Sequence, residues 1–183
     1  VKQISQLIQI AADAGLLVLL DMHVIRAGVW PDGGSVSMGD RPSLFAAWEK
    51  LAHEFCNADL FWNVIGADLK NEPYMMFWGD PGEQHSSTYY PPSERWDTLA
   101  AELGRAVLKT CPRWLVLVQG VGECRKENDP TAPGLPGPCE YPSAPGNQNL
   151  NLQAGTWWGE NLQNAAAFPV DVGDQRRFIS KVV

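Results

Sequence analysis

The sequence predicts an α/β fold in which parallel strands alternate with helices. Wholly apolar runs at residues 16–20 and 114–118, and a short strand pattern at residues 64–69 that includes Asp68, are separated by stretches with apolar residues at helical spacing. Such runs are typical of parallel strands that are covered on both faces. No antiparallel hairpin signal joins them, and a fourth strand is expected to begin within residues 177–183. The length of 183 residues suffices for one domain with a hydrophobic core.

The first predicted unit begins inside a helix. One face of this helix carries Ile4, Leu7, Ile8, Ala11 and Ala12. Gly15 is suited to end it, because glycine readily adopts the left-handed conformation of a helix C-terminus. The strand at residues 16–20 follows, with Asp21, Met22 and His23 at its carboxyl end.

A second and a third helix are predicted from the same periodicity, beginning at Ser43 and at residues 91–93. The apolar stripe of the second consists of Leu44, Ala47, Trp48, Leu51, Ala52 and Phe55. The buried face of the third consists of Trp96, Leu99, Ala100, Leu103 and Val107. Both helices are therefore expected to pack on the sheet.

The central predicted strand, residues 64–69, positions the candidate chemistry. Gly66 keeps it narrow enough for close packing on one face, and Pro73 cannot join a sheet ladder, so the strand ends before it. Asn71 and Glu72 therefore lie at the carboxyl end of a strand, where α/β sheets and (β/α)8 barrels carry their active sites. A carboxylate beside an amide suits proton transfer to a polar substrate. The alternatives are a salt-bridge or helix-cap carboxylate for Glu72 and a turn residue for Asn71.

A long segment without periodicity, residues 121–156, contains six prolines. It leaves the carboxyl end of a predicted strand, so it is expected to lie over the same rim as Glu72. Loops of this length in compact domains are usually functional or disordered. A short helical stretch is predicted at residues 160–167.

Two closures of the sheet are compatible with this pattern: a doubly wound open sheet and part of a (β/α)8 barrel. The nucleotide-binding fingerprints that accompany the first are missing. The run Gly120-Val121-Gly122 lacks the third glycine, and no Gly-Lys-Ser/Thr occurs.

The charge and the composition exclude some partners. With 14 Lys and Arg against 21 Asp and Glu, the formal net charge is −7, which argues against nucleic acid or an anionic membrane as a partner. No apolar run reaches membrane-spanning length. Eight tryptophans suit a core, but they also suit a surface that stacks on sugars.

The four cysteines lie outside any C-x-x-C pair, so no zinc or other metal site is expected. Cys124 and Cys139 bracket the proline-rich loop, where a disulfide would restrain the chain. We predict this pair, and with it an oxidising, secreted and extracellular context. The alternative is four free thiols.

Four segments resemble glycoside hydrolase family 5, most closely its endo-β-1,4-glucanases (cellulases). They are Leu-Leu-Asp-Met-His at 19–23, Ile-Gly-Ala-Asp-Leu-Lys-Asn-Glu-Pro at 65–73, Leu-Val-Gln-Gly-Val at 117–121 and Trp-Trp-Gly-Glu-Asn-Leu-Gln at 157–163. The resemblance implies a partial TIM (β/α)8 barrel comprising about strands three to six. Residues 1–183 would thus be a fragment of a single catalytic domain that is a monomer at full length.

The same resemblance implies a retaining hydrolase of β-1,4-glucan without a cofactor, with Glu72 as general acid/base. The nucleophilic glutamate would lie on strand seven, outside this chain. Asn71 matches the residue that bonds the sugar 2-hydroxyl, and His23 matches a histidine lining the same subsite.

The tryptophans divide by position. Trp48 and Trp96 are assigned to the core, while Trp62 and Trp114 precede strands and are expected to pack at the opposite rim. The candidate sugar platforms are Trp30, Trp78, Trp157 and Trp158. Asp21 and Asp68 are interpreted as structural carboxylates that bond loop amides.

Two other functions remain open. The chain could be a truncated, inactive fragment that only binds carbohydrate, because its partner carboxylate is missing. It could also belong to another family 5 enzyme such as a mannanase, whose acid/base strand would look alike.

Overall fold

The computed structural model describes residues 1–25, 41–73, 76, 78–79, 95–121, 162 and 165–181. Helices and strands alternate along it: α1 (Lys2–Asp13), β1 (Val18–Asp21), α2 (Arg41–Phe55), β2 (Val64–Asp68), α3 (Trp96–Thr110), β3 (Leu115–Gln119) and β4 (Phe178–Lys181). A 3-10 turn, Gln175–Arg177, precedes β4. The predicted α/β class is confirmed.

The four described strands form one parallel sheet in chain order, β1-β2-β3-β4. A doubly wound sheet reverses its strand order at a switch point, whereas neighbouring strands of a (β/α)8 barrel follow the chain. The sheet is therefore an arc of a barrel, and the second of the two closures is the observed one.

The core lies between the sheet and helices α2 and α3. Leu44, Trp48, Ala52 and Phe55 are the buried residues of α2, as its periodicity predicted. Each helix also anchors a strand end through an indole: Trp48 donates to the carbonyl of Leu69 (3.0 Å), and Trp96 donates to the carbonyl of Gln119 (2.8 Å). These bonds fix the carboxyl ends of β2 and β3 relative to the helices.

Gly66 is required by the close approach of β2 to its neighbours. A Cβ atom at this position would lie 2.6 Å from the carbonyl oxygen of Leu115 and 3.1 Å from a methyl carbon of Leu19. The narrow face predicted for this strand is thus observed.

The first unit differs from the prediction. Ile8 is the buried residue of α1, while Leu7 is 66% exposed and Leu17 is 61% exposed. The cause is that β1 pairs with β2 on one side only within the described residues, so nothing there covers its other edge.

Trp62, expected to pack, is 49% exposed, whereas Trp114 is buried as predicted.

A disulfide between Cys56 and Cys111 joins the ends of α2 and α3. Arg113 lies beside it and donates to the carbonyls of Phe55, Cys56 and Phe61. Sequence reasoning missed this pair, and the alternative of four free thiols is wrong for these two residues. The bridge sits where the helices lead into β2 and β3, at the end of the sheet opposite the candidate site.

Searched over the described residues, no helix has the length and apolar character needed to cross a membrane.

Candidate active site

The candidate site lies at the carboxyl ends of the four strands. The parallel register aligns Asp21 of β1 with Asp68 of β2, and Gln119 of β3 with Lys181 of β4. Because parallel strands end at one edge of a sheet, these polar side chains and Glu72 share one rim.

Glu72 is held through its backbone. Its φ of 45° lies in the left-handed region, which is unusual for a residue with a side chain and is further disfavoured before a proline. Such a conformation costs on the order of 1–3 kcal/mol and persists where the surroundings enforce it. The N–H of Glu72 donates to Oε1 of the fully buried Gln119 at 2.8 Å. The Glu72 side chain is half-buried.

Lys70 ties two loops of the rim together. Its ammonium group is fully buried and donates to the carbonyls of His23 (3.1 Å) and Asn71 (2.7 Å). The N–H of Asn71 in turn donates to the carbonyl of Met22 (3.1 Å). A buried cation needs such acceptors, because burial without them is very costly. The two predicted substrate contacts, His23 and Asn71, are therefore brought together through their backbones.

His23 is exposed, and its Nδ1 lies 2.8 Å from Oδ2 of Asp21. When Nδ1 carries the proton, the carboxylate orients the ring and leaves Nε2 as an acceptor for a ligand. Asp21 was predicted to bond loop amides. In the structure it positions His23 instead.

Asp68 is buried and forms an ion pair with Lys181. Its Oδ1 has no hydrogen-bond partner among the described residues. Burial raises the pKa of Asp68, and the bond to Lys181 opposes that rise. The predicted amide bonds of this side chain are absent from the described region, and the carboxylate instead bridges β2 and β4.

Trp78 lies in the core. It is 2% exposed, and its indole N–H donates to the carbonyl of Phe168 at 2.8 Å. The ring of Phe168 lies against Gly79, where an added Cβ would come within 2.4 Å of it. This burial favours packing, and a contact between Trp78 and sugar stays a prediction.

Other predicted site residues, namely Trp30, Trp157, Trp158, Cys124 and Cys139, lie outside the described residues. So do four of the eight residues of the predicted helical stretch at 160–167, and all of the loop at 121–156 apart from Val121. The described residues of that stretch, 162 and 165–167, are not helical.

Sequence reasoning gave no role to Gln119, Lys70 or Lys181. The signal for Gln119 was available, since it is a polar residue that directly ends an apolar strand. Lys70 stands inside the quoted 65–73 segment, but a buried lysine is not expected from sequence. The pairing of Lys181 with Asp68 spans 113 residues and has no local signature.

The geometry suits acid–base chemistry on a hydroxylated ligand. A half-buried carboxyl, a neighbouring amide and a histidine oriented by a carboxylate share one rim. Among the described residues, no group of three or more His, Cys, Asp or Glu is arranged to hold a metal ion.

The four strands in chain order, with their polar rim, define an α/β protein containing part of a (β/α)8 barrel. This class of fold carries its active sites at that rim. The model of the Cellulase family (glycosyl hydrolase family 5) matches residues 1–182, and the chain belongs to this family.

Three known proteins are similar to this chain, two in sequence and one in structure. An endoglucanase of Paenibacillus polymyxa is 28% identical over 171 residues, which are 93% of this chain and 34% of that protein. The major extracellular endoglucanase of Xanthomonas campestris is 25% identical over 170 residues, which are 91% of this chain and 27% of that protein. The hyperthermophilic endocellulase of the archaeon Pyrococcus horikoshii shares the fold, with a TM-score of 0.60 at 24% identity over 98% of this chain and 43% of that structure. The chain thus spans less than half the length of each.

Proposed function

We propose that this chain is part of a secreted endo-β-1,4-glucanase that retains anomeric configuration, with Glu72 as its general acid/base. The observation that carries the proposal is the placement of Glu72. Its half-buried side chain stands at the carboxyl rim of a barrel arc, and its backbone is locked into a left-handed conformation. Membership of the family and the similar endoglucanases support the choice of substrate.

The proposed reaction has two steps. Glu72 first donates a proton to the oxygen of the leaving sugar while a second carboxylate attacks the anomeric carbon. Glu72 then takes a proton from the water that releases the covalent intermediate. Retaining enzymes hold the two carboxyls roughly 5–5.5 Å apart. We place the nucleophilic glutamate outside residues 1–183, in the remainder of the catalytic domain.

Asn71 and His23 are proposed to bind the sugar at the cleavage point. Asn71 would hydrogen-bond the 2-hydroxyl, and the imidazole oriented by Asp21 would line the same subsite. The backbone bonds from Lys70 to both residues hold these groups at a fixed separation. Trp30, Trp157 and Trp158 remain proposed stacking surfaces for neighbouring glucose units.

The test is Glu72→Gln in the complete protein that contains this chain. The amide keeps the size of the side chain but cannot give or take the proton. We expect turnover on carboxymethyl-cellulose, measured as reducing ends, to fall roughly 10²–10⁴-fold. Glu49→Gln, an exposed change on α2, is the matched control and should leave turnover unchanged. Near-normal activity of Glu72→Gln would remove Glu72 from this role.

A second candidate is an enzyme of the same family acting on mannan. The quoted strand segments do not distinguish the two substrates, because the acid/base strand serves either sugar. Faster release of reducing ends from mannan than from carboxymethyl-cellulose would reassign the substrate and leave the role of Glu72 intact.

A further inference from the structure

The backbone around Gln119 is anchored by two hydrogen bonds at the end of β3. Its carbonyl accepts from the indole of Trp96 at 2.8 Å, and the N–H of the next residue, Gly120, donates to the carbonyl of Lys181 at 3.0 Å. The side-chain amide is therefore carried by backbone that is fixed to both α3 and β4. Such a support keeps the position of Oε1 constant.

The bond from Glu72 to this oxygen reaches across 47 residues of sequence. It engages the peptide N–H of the very residue whose φ is left-handed. A fixed acceptor for that N–H restrains rotation of the backbone at Glu72. The direction of the Cα–Cβ bond, and with it the reach of the carboxyl, is restrained as well.

The nitrogen of the Gln119 side-chain amide makes it costly to bury a glutamine at this position. Its Nε2 is buried, and within the described ranges it has no hydrogen-bond partner. A buried donor without a partner destabilises the fold, whereas an apolar side chain of the same size would avoid that cost. A methionine at position 119 would avoid this cost, but it would not replace the oxygen that accepts the hydrogen bond from the N–H of Glu72.

We propose that Gln119 is a positioning residue for the proton donor of this site. The inference rests on the proposed role of Glu72. Gln119 does not contact the substrate. It holds the backbone of Glu72 so that the carboxyl lies within hydrogen-bond reach of the leaving oxygen. A misplacement of about 1 Å at such a group can cost about 10²-fold in rate.

The test compares two substrates in the complete protein. Cellotetraose has a sugar alkoxide as its leaving group, which needs the proton. The aryl glycoside 2,4-dinitrophenyl β-cellobioside has a leaving phenolate that needs little protonation. The ratio of the two kcat/KM values does not depend on the fraction of folded enzyme, so partial loss of folding cancels.

For Gln119→Met we expect kcat/KM on cellotetraose to fall about 10- to 100-fold and that on the aryl glycoside to fall less than about threefold. Gln119→Glu keeps an acceptor oxygen and should hold the ratio within about threefold of wild type. Val118→Ala, a buried change on the same strand that leaves the acceptor in place, is the matched control with an unchanged ratio. Gln119→Ala replaces Gln119→Met if the methionine variant does not fold.

Equal losses on both substrates in Gln119→Met, or no loss on either, would overturn the positioning role. So would a Gln119→Glu variant that shows the methionine pattern. Glu72→Gln, measured alongside, separates this proposal from the proposed function. If Glu72→Gln shows the leaving-group signature and Gln119→Met does not, only the positioning role fails. If Glu72→Gln behaves like wild type, both proposals fail.

Discussion

At the scale of single residues, the main chain of Asn71 and Glu72 forms the hydrogen bonds that hold them at the rim, and their side chains remain available. Glu72 and Asn71 are held through their main-chain atoms, by Gln119 and by Lys70 respectively. The side chains of Glu72 and Asn71 are half-buried, and among the described residues they form no hydrogen bond with Gln119 or Lys70. A side chain that takes no part in the hydrogen bonds that hold its backbone can still bind a ligand.

Asp68 provides a pH-dependent test of the same rim. Burial raises its folded-state pKa above the ordinary value of 3.8, so the folded state binds this proton more tightly than the unfolded state does. Its contribution to stability is therefore fully present below pH 3.8 and is lost as the pH rises through the raised pKa. Removal of the carboxyl should remove that dependence.

We therefore expect the free energy of unfolding of Asp68→Asn, minus that of wild type, to increase as the pH rises from 3.8 through the raised pKa of Asp68. Urea denaturation of the complete protein at a series of pH values measures the difference. Asp13→Asn, which makes the same substitution at the exposed end of α1 and outside the rim, is the control. A difference that moves the opposite way would contradict the assigned direction, and would mean that the pairing with Lys181 outweighs burial.

At the scale of elements, the sequence predicts what local periodicity encodes. The stripes of α2 and α3 and the four strand positions were predicted because each depends on a residue pattern within one short stretch of sequence. The bridge from Cys56 to Cys111 was missed, since connectivity among four cysteines has no local signature. The same holds for Gln119 as partner of Glu72, because that bond depends on how β2 and β3 lie side by side. The position of Asn71 and Glu72 just after β2 was thus predictable from the motif, but the contacts that hold them were not.

The disulfide is expected to stabilise the pair of helices without affecting chemistry. Its closed loop spans a separation of 55 residues, for which chain entropy predicts about 4 kcal/mol. The double variant Cys56→Ser/Cys111→Ser should lower the free energy of unfolding by roughly 2–4 kcal/mol in urea. Its kcat on carboxymethyl-cellulose at moderate temperature should be unchanged, because the bridge lies at the opposite end of the sheet.

The control for that variant is a reducing agent. Wild-type protein should lose stability when reduced, and the double serine variant should lose none through this bridge. An unfolding free energy for the variant equal to that of oxidised wild type would show that the bridge contributes nothing. A large loss of kcat in a folded variant would show that the far end of the sheet is coupled to the rim.

At the scale of the whole molecule, the exposed surface matches the partial coverage of the similar proteins. The described sheet has two edges, at β1 and β4, and apolar side chains such as Leu7, Leu17 and Leu19 are exposed beside the first. In a closed barrel every strand has two neighbours, so no such edge exists. We infer that the remaining barrel units cover these residues, since the chain spans 43% of the solved endocellulase structure.

The isolated chain of 183 residues should therefore melt broadly and self-associate, because open parallel edges and exposed leucines promote aggregation. Circular dichroism on heating and sedimentation measure the two properties, and carboxymethyl-cellulose should yield no reducing ends without the second carboxylate. Leu19→Lys should make the isolated chain more soluble yet destabilise the complete protein, because only in the latter is the side chain covered. Leu60 is 59% exposed in the turn before β2, against 44% for Leu19, and Leu60→Lys should destabilise neither form. A sharp, high-temperature transition of the isolated monomer would mean that the arc is a finished fold, and that its exposed leucines need no partner.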